Sequence, residues 1–504
     1  MSALEQTALF LIIMVPLLGA VLTMFLPKDR PGYAWYFAIG VSLICFLLSI
    51  YVFFSYDYGA GGFQLSRSFQ WLDAPVNISL SLGVDGIAAP LVLLNGLVLL
   101  GAVLISQNIR VRTRDFFVLL QALGSGVFGV FVVRDLFFLF FFYELAVLPM
   151  YLLIGVWGSS TDFGSFLRTK EYGAMKLFLY LVAGSILVWV AILAVYVEAA
   201  RLGEPTFSLD RLGTLALTGD ISEEFQVWVF PLFMVGFGVL AGLWPFHTWS
   251  PDGHVAAPTG VSMLHAGVLM KLGAYGIIRV GMVLLPEGAE VWMPVLITLG
   301  TVNVLYGAVS AMSQTDLKYV VGYSSVSHMG YVLMGIATLD PIGVGGAVLQ
   351  MFSHGIMTAL MFLLVGAVYD QAHVRDINVL NGLFGRMRVN SFFFAIAGLA
   401  SLGLPGLSGF IAEFMVFTGA FRTYLPLAVL AVVGAALTAV YILRLLARTF
   451  LGEIDPQWEH LTDANPIEKA VGGVFVLILI GVGVWPATLM RVINVGVDSI
   501  LQVY

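Results

Sequence analysis

The chain has 504 residues, of which 60% are hydrophobic and 11% charged, and its mean hydropathy is +0.97. Soluble domains carry about 25% charged and about 45–50% apolar residues, so this composition excludes a soluble globular protein and predicts one that crosses a membrane many times. The formal net charge of −7 says little about partners, because most of such a surface faces lipid, and we expect no nucleic-acid partner.

Apolar runs long enough to cross a bilayer as helices recur along the whole chain. A spanning helix needs about 20 apolar residues, and about 14 runs meet that criterion. In chain order they are Leu9–Leu26, Tyr33–Phe54, Gly86–Ile105, Phe116–Val133, Leu136–Trp157, Lys176–Val197, Trp228–Trp244, Thr259–Val280, Val291–Ala311, Tyr319–Thr338, Gly343–Val368, Phe392–Phe421, Leu425–Leu446 and Ala470–Leu489. Because barrel strands alternate apolar and polar residues over about 10 positions, these continuous runs predict an all-α polytopic membrane protein.

Basic residues in the loops predict the orientation of the chain. With the N-terminus outside, the inside segments hold Lys28, Arg30, Arg110, Arg112, Arg114, Arg168, Lys170, Lys318, Arg375, Arg386, Arg388, Arg444, Arg448 and Lys469. The outside segments hold only Arg67, Arg134, Arg201, Arg211, Arg279, Arg422 and Arg491. This excess is the bias of the positive-inside rule. We therefore predict a multi-pass protein of the cell inner (plasma) membrane with both termini on the periplasmic side. Its start lacks a basic signal region, so the first span is expected to remain as an anchor.

Two spans contain a proline-interrupted segment. The seventh holds LAGLWP (Leu240–Pro245) and the twelfth holds LASLGLP (Leu399–Pro405). Five spans separate them, and an odd offset reverses orientation, so Pro245 and Pro405 fit corresponding breaks in two inverted five-helix units. Ordinary proline kinks are the alternative. No linker divides the chain, and we predict a single integral domain over residues 1–504.

Four of the charged side chains inside predicted spans are candidates for function, since a charge at the centre of a span costs about 2.5–3.5 kcal/mol to insert. They are Glu144 in the fifth span, Lys176 in the sixth, Lys271 in the eighth and Glu413 in the twelfth. Isolated charges of this kind would not persist, so each needs a partner. Static ion pairs are one explanation, and an ion pathway is the other.

Histidines cluster in the same central spans. His247 and His254 flank the first break, and His265, His328 and His354 follow in the eighth, tenth and eleventh spans. Histidine takes up and releases protons near neutral pH, although a single buried histidine is more often a packing residue. The concentration of these groups predicts a proton or cation path. His373 and His460 fall in inside loops and are expected to be surface residues.

Motifs for other chemistry are absent. No Walker A, strand–turn–helix dinucleotide, HExxH or CxxC motif occurs. The single cysteine, Cys45, excludes an intrachain disulfide and an iron–sulfur cluster held by this chain alone. We expect no metal and no cofactor in this chain, since the spacing of His247 and His254 around two prolines is a weak indication of a metal site.

Several motifs in order resemble the antiporter-like subunits of respiratory complex I. They are FYELAVLPMYLLIG, WPFHTWSPDGHVAAPT, AGVLMKLGAYGIIR, KYVVGYSSVSHMGYVLMG and LPGLSGFIAEF, and the likeness extends over about residues 85 to 450. It implies that Glu144, Lys271, His328, His354 and Glu413 match the family's proton-path positions. It also implies two inverted repeats, about 115–285 and 290–450, with discontinuous seventh and twelfth helices.

The resemblance implies a proton-translocating subunit of an NADH (or other donor):quinone oxidoreductase. NADH, FMN, iron–sulfur clusters and quinone would then bind partner subunits, and the neighbours would be L- and N-type antiporter-like subunits, small helical subunits and the redox arm. Alternatives are a multisubunit cation/proton antiporter, a membrane-bound hydrogenase, or a structural membrane-arm subunit.

One position departs from the family pattern. The family has a lysine in the seventh span, seven residues before the histidine of PFHTW, as the partner of the fifth-span glutamate. Here that position is Leu240. Lys176 and His265, on neighbouring spans, are the candidate substitutes, and an impaired or differently working half-channel is the third possibility.

Overall fold

The computed structural model describes residues 3–74, 76–162, 167–502 and 504, and most of them are helical. The first part of the chain forms α1 (Ala3–Thr23), α2 (Pro31–Ser55), α3 (Ala88–Ile105), α4 (Thr113–Val132), α5 (Leu136–Trp157), α6 (Lys170–Arg201), α7 (Leu209–Leu217), α8 (Glu223–Ala241) and α9 (Trp249–Ala256). The next helix consists of four consecutive segments, two α-helical and two π-helical. They are α10 (Thr259–Leu264), a π-helical turn (His265–Leu269), α11 (Met270–Gly276) and a second π-helical turn (Ile277–Met282).

The rest of the bundle follows with short connections. Its helices are α12 (Pro286–Ser313), α13 (Leu317–Ala337), α14 (Pro341–Ala372), α15 (Arg388–Ser401), α16 (Ser408–Thr423), α17 (Leu425–Thr449), α18 (Pro466–Val484) and α19 (Ala487–Leu501). Each of the predicted spans therefore coincides with a helix or with a broken pair of helices, and the predicted α-helical bundle is confirmed.

Eleven helices of the described residues are long and apolar enough to span a membrane by length and composition. Three predicted spans are not among them. The apolar part of α1 is short, the twelfth span is divided between α15 and α16, and α13 carries polar residues such as Lys318 and His328 that lower its hydropathy. Two of the three exceptions therefore carry residues of the predicted proton path.

Small elements occupy the two long loops predicted to be external. Strands β1 (Gln64–Leu72) and β2 (Ile78–Val84) form an antiparallel hairpin, and α7 lies in the second loop. Backbone bonds from Arg134 N to Ser81 O (2.8 Å) and from Leu136 N to Phe207 O (2.8 Å) attach both loops to the start of α5. The external loops therefore meet at one end of the bundle. The sequence patterns did not predict the hairpin, α7 or the C-terminal α19.

The loops rich in basic residues meet at the opposite end, which we call the basic end. Arg375 donates to Thr161 Oγ1 (2.9 Å), which lies in β3 (Thr161–Asp162), and that strand pairs with β4 (Leu167–Arg168). Trp157 Nε1 donates to Val111 O (2.6 Å) at the same end. Consecutive spans run in opposite directions and their connections are short, so these loops lie at the same end of the bundle.

The centre of the bundle is formed by the helix from Thr259 and by α14, both wholly buried over their apolar windows. Outer helices such as α2, α6, α17 and α18 are only 33–39% buried over their apolar windows, so part of their apolar surface is exposed. In a bilayer that surface faces hydrocarbon, and the contact of apolar side chains with lipid carries no free-energy penalty. Polar groups on the two central helices, in contrast, must be satisfied by other side chains or by water.

Candidate functional site: a buried row of ionisable side chains

The first break in the bundle follows α8. Gly242 has φ 79°, a left-handed conformation open to glycine at little cost, and Leu243 N donates back to Gly238 O (2.8 Å). The chain then passes Pro245 and resumes as α9. Asn303 of α12, fully buried, donates to Gly242 O (2.7 Å) and accepts from Trp244 N (2.6 Å). One side chain thus satisfies two backbone groups that the break removes from the helix.

The second break, between α15 and α16, repeats this backbone pattern. Gly403 has φ 71°, and Leu404 N donates back to Leu399 O (3.0 Å). Pro405 and Gly406 follow before α16 begins. The predicted discontinuities at the seventh and twelfth spans are therefore confirmed, and each begins with a glycine in the left-handed region.

Lys271 and Glu413 are the two ends of a buried row of ionisable side chains, in which two hydrogen-bonded pairs are joined by a contact between imidazole rings. Lys271 Nζ, on α11, lies 2.8 Å from Nδ1 of His354 on α14. The rings of His354 and His328 are 5.3 Å apart, and His328 Nδ1, on α13, lies 3.2 Å from Oε1 of Glu413 on α16. None of these four residues is more than 4% exposed.

Close helix packing brings the row together. Lys271 follows the π-helical turn His265–Leu269 and also donates to Ala266 O, a carbonyl within that turn. A β-carbon on Gly355, next to His354, would lie 2.6 Å from Gly267 O, so a glycine is needed where α14 touches the turn. π-Helical turns are rare and are frequently found at functional sites.

His328 has two possible hydrogen-bond arrangements. Its Nε2 lies 2.9 Å from Ser401 Oγ, while its Nδ1 lies near both Glu413 and Gln350 Nε2 (3.3 Å). Nδ1 can donate to the carboxylate or accept from the amide of Gln350, and the two arrangements differ by the position of one proton. This is the chemistry that a proton relay requires.

A second cluster surrounds the first break. The rings of His254 and His265 are 4.0 Å apart, and His265 stacks on Trp249 at 5.3 Å. His247 packs edge-on against Tyr306 at 4.8 Å. In the described part of the chain, both ring nitrogens of His247 and of His265 lack a protein hydrogen-bond partner. Buried polar atoms of this kind are normally satisfied by ordered water.

Lys176 belongs to a third group at the basic end. Its Nζ lies 2.8 Å from Oδ2 of Asp252 on α9. The other carboxylate oxygen accepts from Arg168 Nη1 (2.6 Å) and from Tyr319 Oη (3.0 Å). Lys176 is therefore paired with Asp252, a residue that the sequence patterns did not single out.

Glu144 lies apart from these groups. It is half-buried on α5 and contacts the hydroxyl of Ser185 on α6. Leu240, the residue in the family's lysine position, is fully buried on α8. Neither candidate substitute, Lys176 or His265, is described in contact with Glu144, because one pairs with Asp252 and the other stacks on Trp249. The structure thus provides no described lysine partner for this carboxylate.

Several contributors to the site were missed in the sequence. Asp252 lies within WSPDGH between two histidines, and its position beside a helix break is a usable signal. Asn303, Ser401 and Gln350 are single polar residues in apolar helices. Only distances in the folded chain show that Asn303 bonds the backbone of the first break, whereas Ser401 and Gln350 contact His328.

The chain matches the family model described as NADH:quinone oxidoreductase/Mrp antiporter, TM, over residues 133–438. It is 37% identical to NAD(P)H-quinone oxidoreductase chain 4 3 of Picosynechococcus, over 97% of this chain and 93% of the relative. It is 38% identical to NAD(P)H-quinone oxidoreductase chain 4 1 of Thermosynechococcus vestitus, over 97% and 92%.

Solved structures give the same result for the fold. A chain of respiratory complex I from Thermus thermophilus with bound NADH superposes with a TM-score of 0.87, at 27% identity, over 98% of this chain and 99% of that one. A chain of the Mrp complex from Dietzia reaches a TM-score of 0.86 at 19% identity, over 99% and 98%, and shares the fold. The family match and the relatives show that the chain belongs to the NADH:quinone oxidoreductase/Mrp antiporter transmembrane family.

Proposed function

We propose that this chain is a proton-translocating, antiporter-like subunit of a complex that oxidises NADH or another donor and reduces quinone. The observation that carries the proposal is the buried row from Lys271 to Glu413, in which amine, imidazole and carboxylate lie on four different helices within or near hydrogen-bond distance. Intramembrane ionisable residues arranged in this way are typical of ion pathways. The printed names of the relatives supply the redox context.

The proposed path includes all the positions that the sequence predicts for it: Glu144, Lys176, His247, His265, Lys271, His328, His354 and Glu413. His247 and His265 would join the first half to the second through ordered water at their unpaired nitrogens. Breaks at Pro245 and Pro405 would open backbone and space for that water within two inverted repeats. Among the antiporter-like subunits, Glu413 favours the M type, because the L and N types usually have a lysine at this position of the twelfth span.

The chain would contribute no redox centre of its own. Its one cysteine, Cys45, cannot hold an iron–sulfur cluster, so NADH, FMN, iron–sulfur clusters and quinone would bind partner subunits. The partners in the membrane would be L- and N-type subunits and small helical subunits. The positive-inside rule supports a cytoplasmic basic end and periplasmic termini in the inner membrane.

Proton translocation is tested in the whole complex, reconstituted in vesicles with its natural electron donor and quinone. Lys271→Ala and Glu413→Gln are each expected to lower the number of protons moved per electron while most electron transfer remains. Lys469→Ala, a surface lysine on α18 with 43% of its side chain exposed, is the control and should match the parent. An unchanged ratio in both variants of the row contradicts the proposal and supports a structural subunit.

A cation/proton antiporter is the second candidate, because the family description covers both kinds of complex. Sodium-dependent proton flux in vesicles without an electron donor favours the antiporter. Co-purification with flavin and iron–sulfur subunits in mild detergent favours the quinone-reducing complex.

A further inference from the structure

We propose that Lys176, held by Asp252 and Arg168, is the residue through which protons enter the first half of the bundle from its basic end. The proposal rests on the proposed function, since it assigns an entry point to the same proton path. It adds two residues, Asp252 and Arg168, that the sequence patterns did not select.

One carboxylate joins three parts of the bundle. Asp252 of α9 is 5% exposed and accepts bonds from Lys176 on α6 (2.8 Å), from Arg168 on β4 (2.6 Å) and from Tyr319 on α13 (3.0 Å). Gly173 permits the close approach of α6, because a β-carbon there would lie 3.1 Å from Asp252 O and 2.9 Å from the β-carbon of Ala256. The geometry of the group is therefore set by backbone packing.

Asp252 has a second cationic partner besides Lys176. In a simple ion pair, a lysine that lost its proton would leave a buried carboxylate without compensation, which is strongly unfavourable. Here the guanidinium of Arg168, which does not deprotonate in proteins, still neutralises Asp252. The carboxylate would therefore stay paired with Arg168 when Lys176 passes on a proton in the proposed step.

The group is reachable from the basic end. Arg168 exposes 31% of its side chain and Lys176 exposes 19% of its side chain. Because α6 begins at Lys170, Lys176 lies about 9 Å along the helix from that end, at 1.5 Å per residue. Water at the basic end thus needs to penetrate only a short distance to protonate the amine.

The same group adjoins the histidines of the first break. A β-carbon on Gly253, the residue after Asp252, would lie 2.8 Å from Leu177 Cδ1 and 3.0 Å from His265 Cε1. Both nitrogens of His265 lack a partner among the described residues. In the proposed step a proton from water binds the Lys176 amine, then leaves its Nζ through water for a ring nitrogen of His265. The amine is restored, no electron moves, and Asp252 and Arg168 keep their charges.

Lys176→Gln and Lys176→Arg separate a proton carrier from a static ion pair. Gln removes the amine but leaves the Arg168–Asp252 pair, so assembly should persist. Lys176→Arg keeps a cation beside Asp252, but the arginine side chain does not release a proton and so cannot pass one on. In the reconstituted complex we expect both variants to lower the protons moved per electron as far as Lys271→Ala does, with most electron transfer retained. Lys170→Gln, at a half-buried lysine at the start of the same helix whose Nζ donates to Val156 O, should match the parent.

Three other results would overturn this inference. Parent-like pumping in Lys176→Arg together with loss in Lys176→Gln makes Lys176 a structural ion pair. Parent-like pumping in both variants places Lys176 off the path. In these two cases, loss of pumping in Lys271→Ala would leave the proposed function standing. The third result is an unchanged ratio of protons to electrons in Lys271→Ala, which would contradict both the proposed function and the role of Lys176.

Discussion

A single asparagine determines much of the local structure where α8 ends. Asn303 bonds both Gly242 O and Trp244 N, and it is fully buried. In hydrocarbon, an unsatisfied backbone group cannot turn to bulk water, so such a side chain replaces the hydrogen bonds that a continuous helix would have made. The break therefore depends on a residue of a neighbouring helix.

Asn303→Leu should destabilise the protein. The substitution keeps a similar volume but leaves two buried backbone groups without partners, at about 1–3 kcal/mol each. We expect a lower thermal unfolding midpoint for the chain in mild detergent. Thr301→Val is the control on the same helix, because Thr301 bonds Ile297 O within its own helix. Equal midpoints for Asn303→Leu and Thr301→Val would contradict this role.

At the scale of elements, the two breaks place reactive side chains beside non-helical backbone. Gly403 lies at the second break, and a β-carbon there would be 2.9 Å from Glu413 Oε2. Gly406 has φ 94° and no neighbour within 4 Å of such a β-carbon. The two glycines share a left-handed conformation but differ in their closeness to the row.

Gly403→Ala and Gly406→Ala should separate backbone strain from displacement of Glu413. Each places a β-carbon in the left-handed region, at a cost of roughly 1–2 kcal/mol. Only Gly403→Ala crowds the carboxylate, so it should lower proton transfer per electron in the reconstituted complex. Thermal midpoints in detergent should fall similarly for both. A pumping loss of equal size in both variants would show that strain at the break, and not contact with Glu413, is responsible.

At the scale of the whole molecule, the bundle has two chemically different ends. Basic loops meet at one end, while the hairpin, α7 and an acidic loop meet at the other. The membrane potential and the insertion machinery favour basic loops in the cytoplasm. Proton entry beside Lys176 would therefore be cytoplasmic.

Cysteine labelling checks this orientation. The native Cys45 is fully buried, so the parent chain should react little with a membrane-impermeant maleimide. Right-side-out vesicles carrying Arg211→Cys, where 59% of the side chain is exposed, should be labelled without permeabilisation. Lys28→Cys, at an exposed residue of the connection between α1 and α2, should need permeabilisation. The reverse pattern would place the basic end outside.

Sequence patterning was sufficient for the bundle and for both helix breaks. Long apolar runs have few alternatives to helices in a bilayer, and Gly–Pro segments interrupt helices by removing donors and permitting left-handed backbone. The residues Lys271, His328, His354 and Glu413 were selected because charge and imidazole are expensive at that depth. Local chemistry selects each of them, and the structure places the four in one buried row.

Pairing was decided only by the tertiary structure. Lys176 was considered as a partner for Glu144, yet it bonds Asp252, because Gly173 lets α6 approach α9 closely. His265 was a second candidate, yet it stacks between His254 and Trp249. Hydrophobic periodicity determines which segments cross the membrane, since that depends on composition over a turn or more. Which buried charges form pairs depends on the close packing of helices that are distant in sequence. Only the folded chain therefore specifies the pairs.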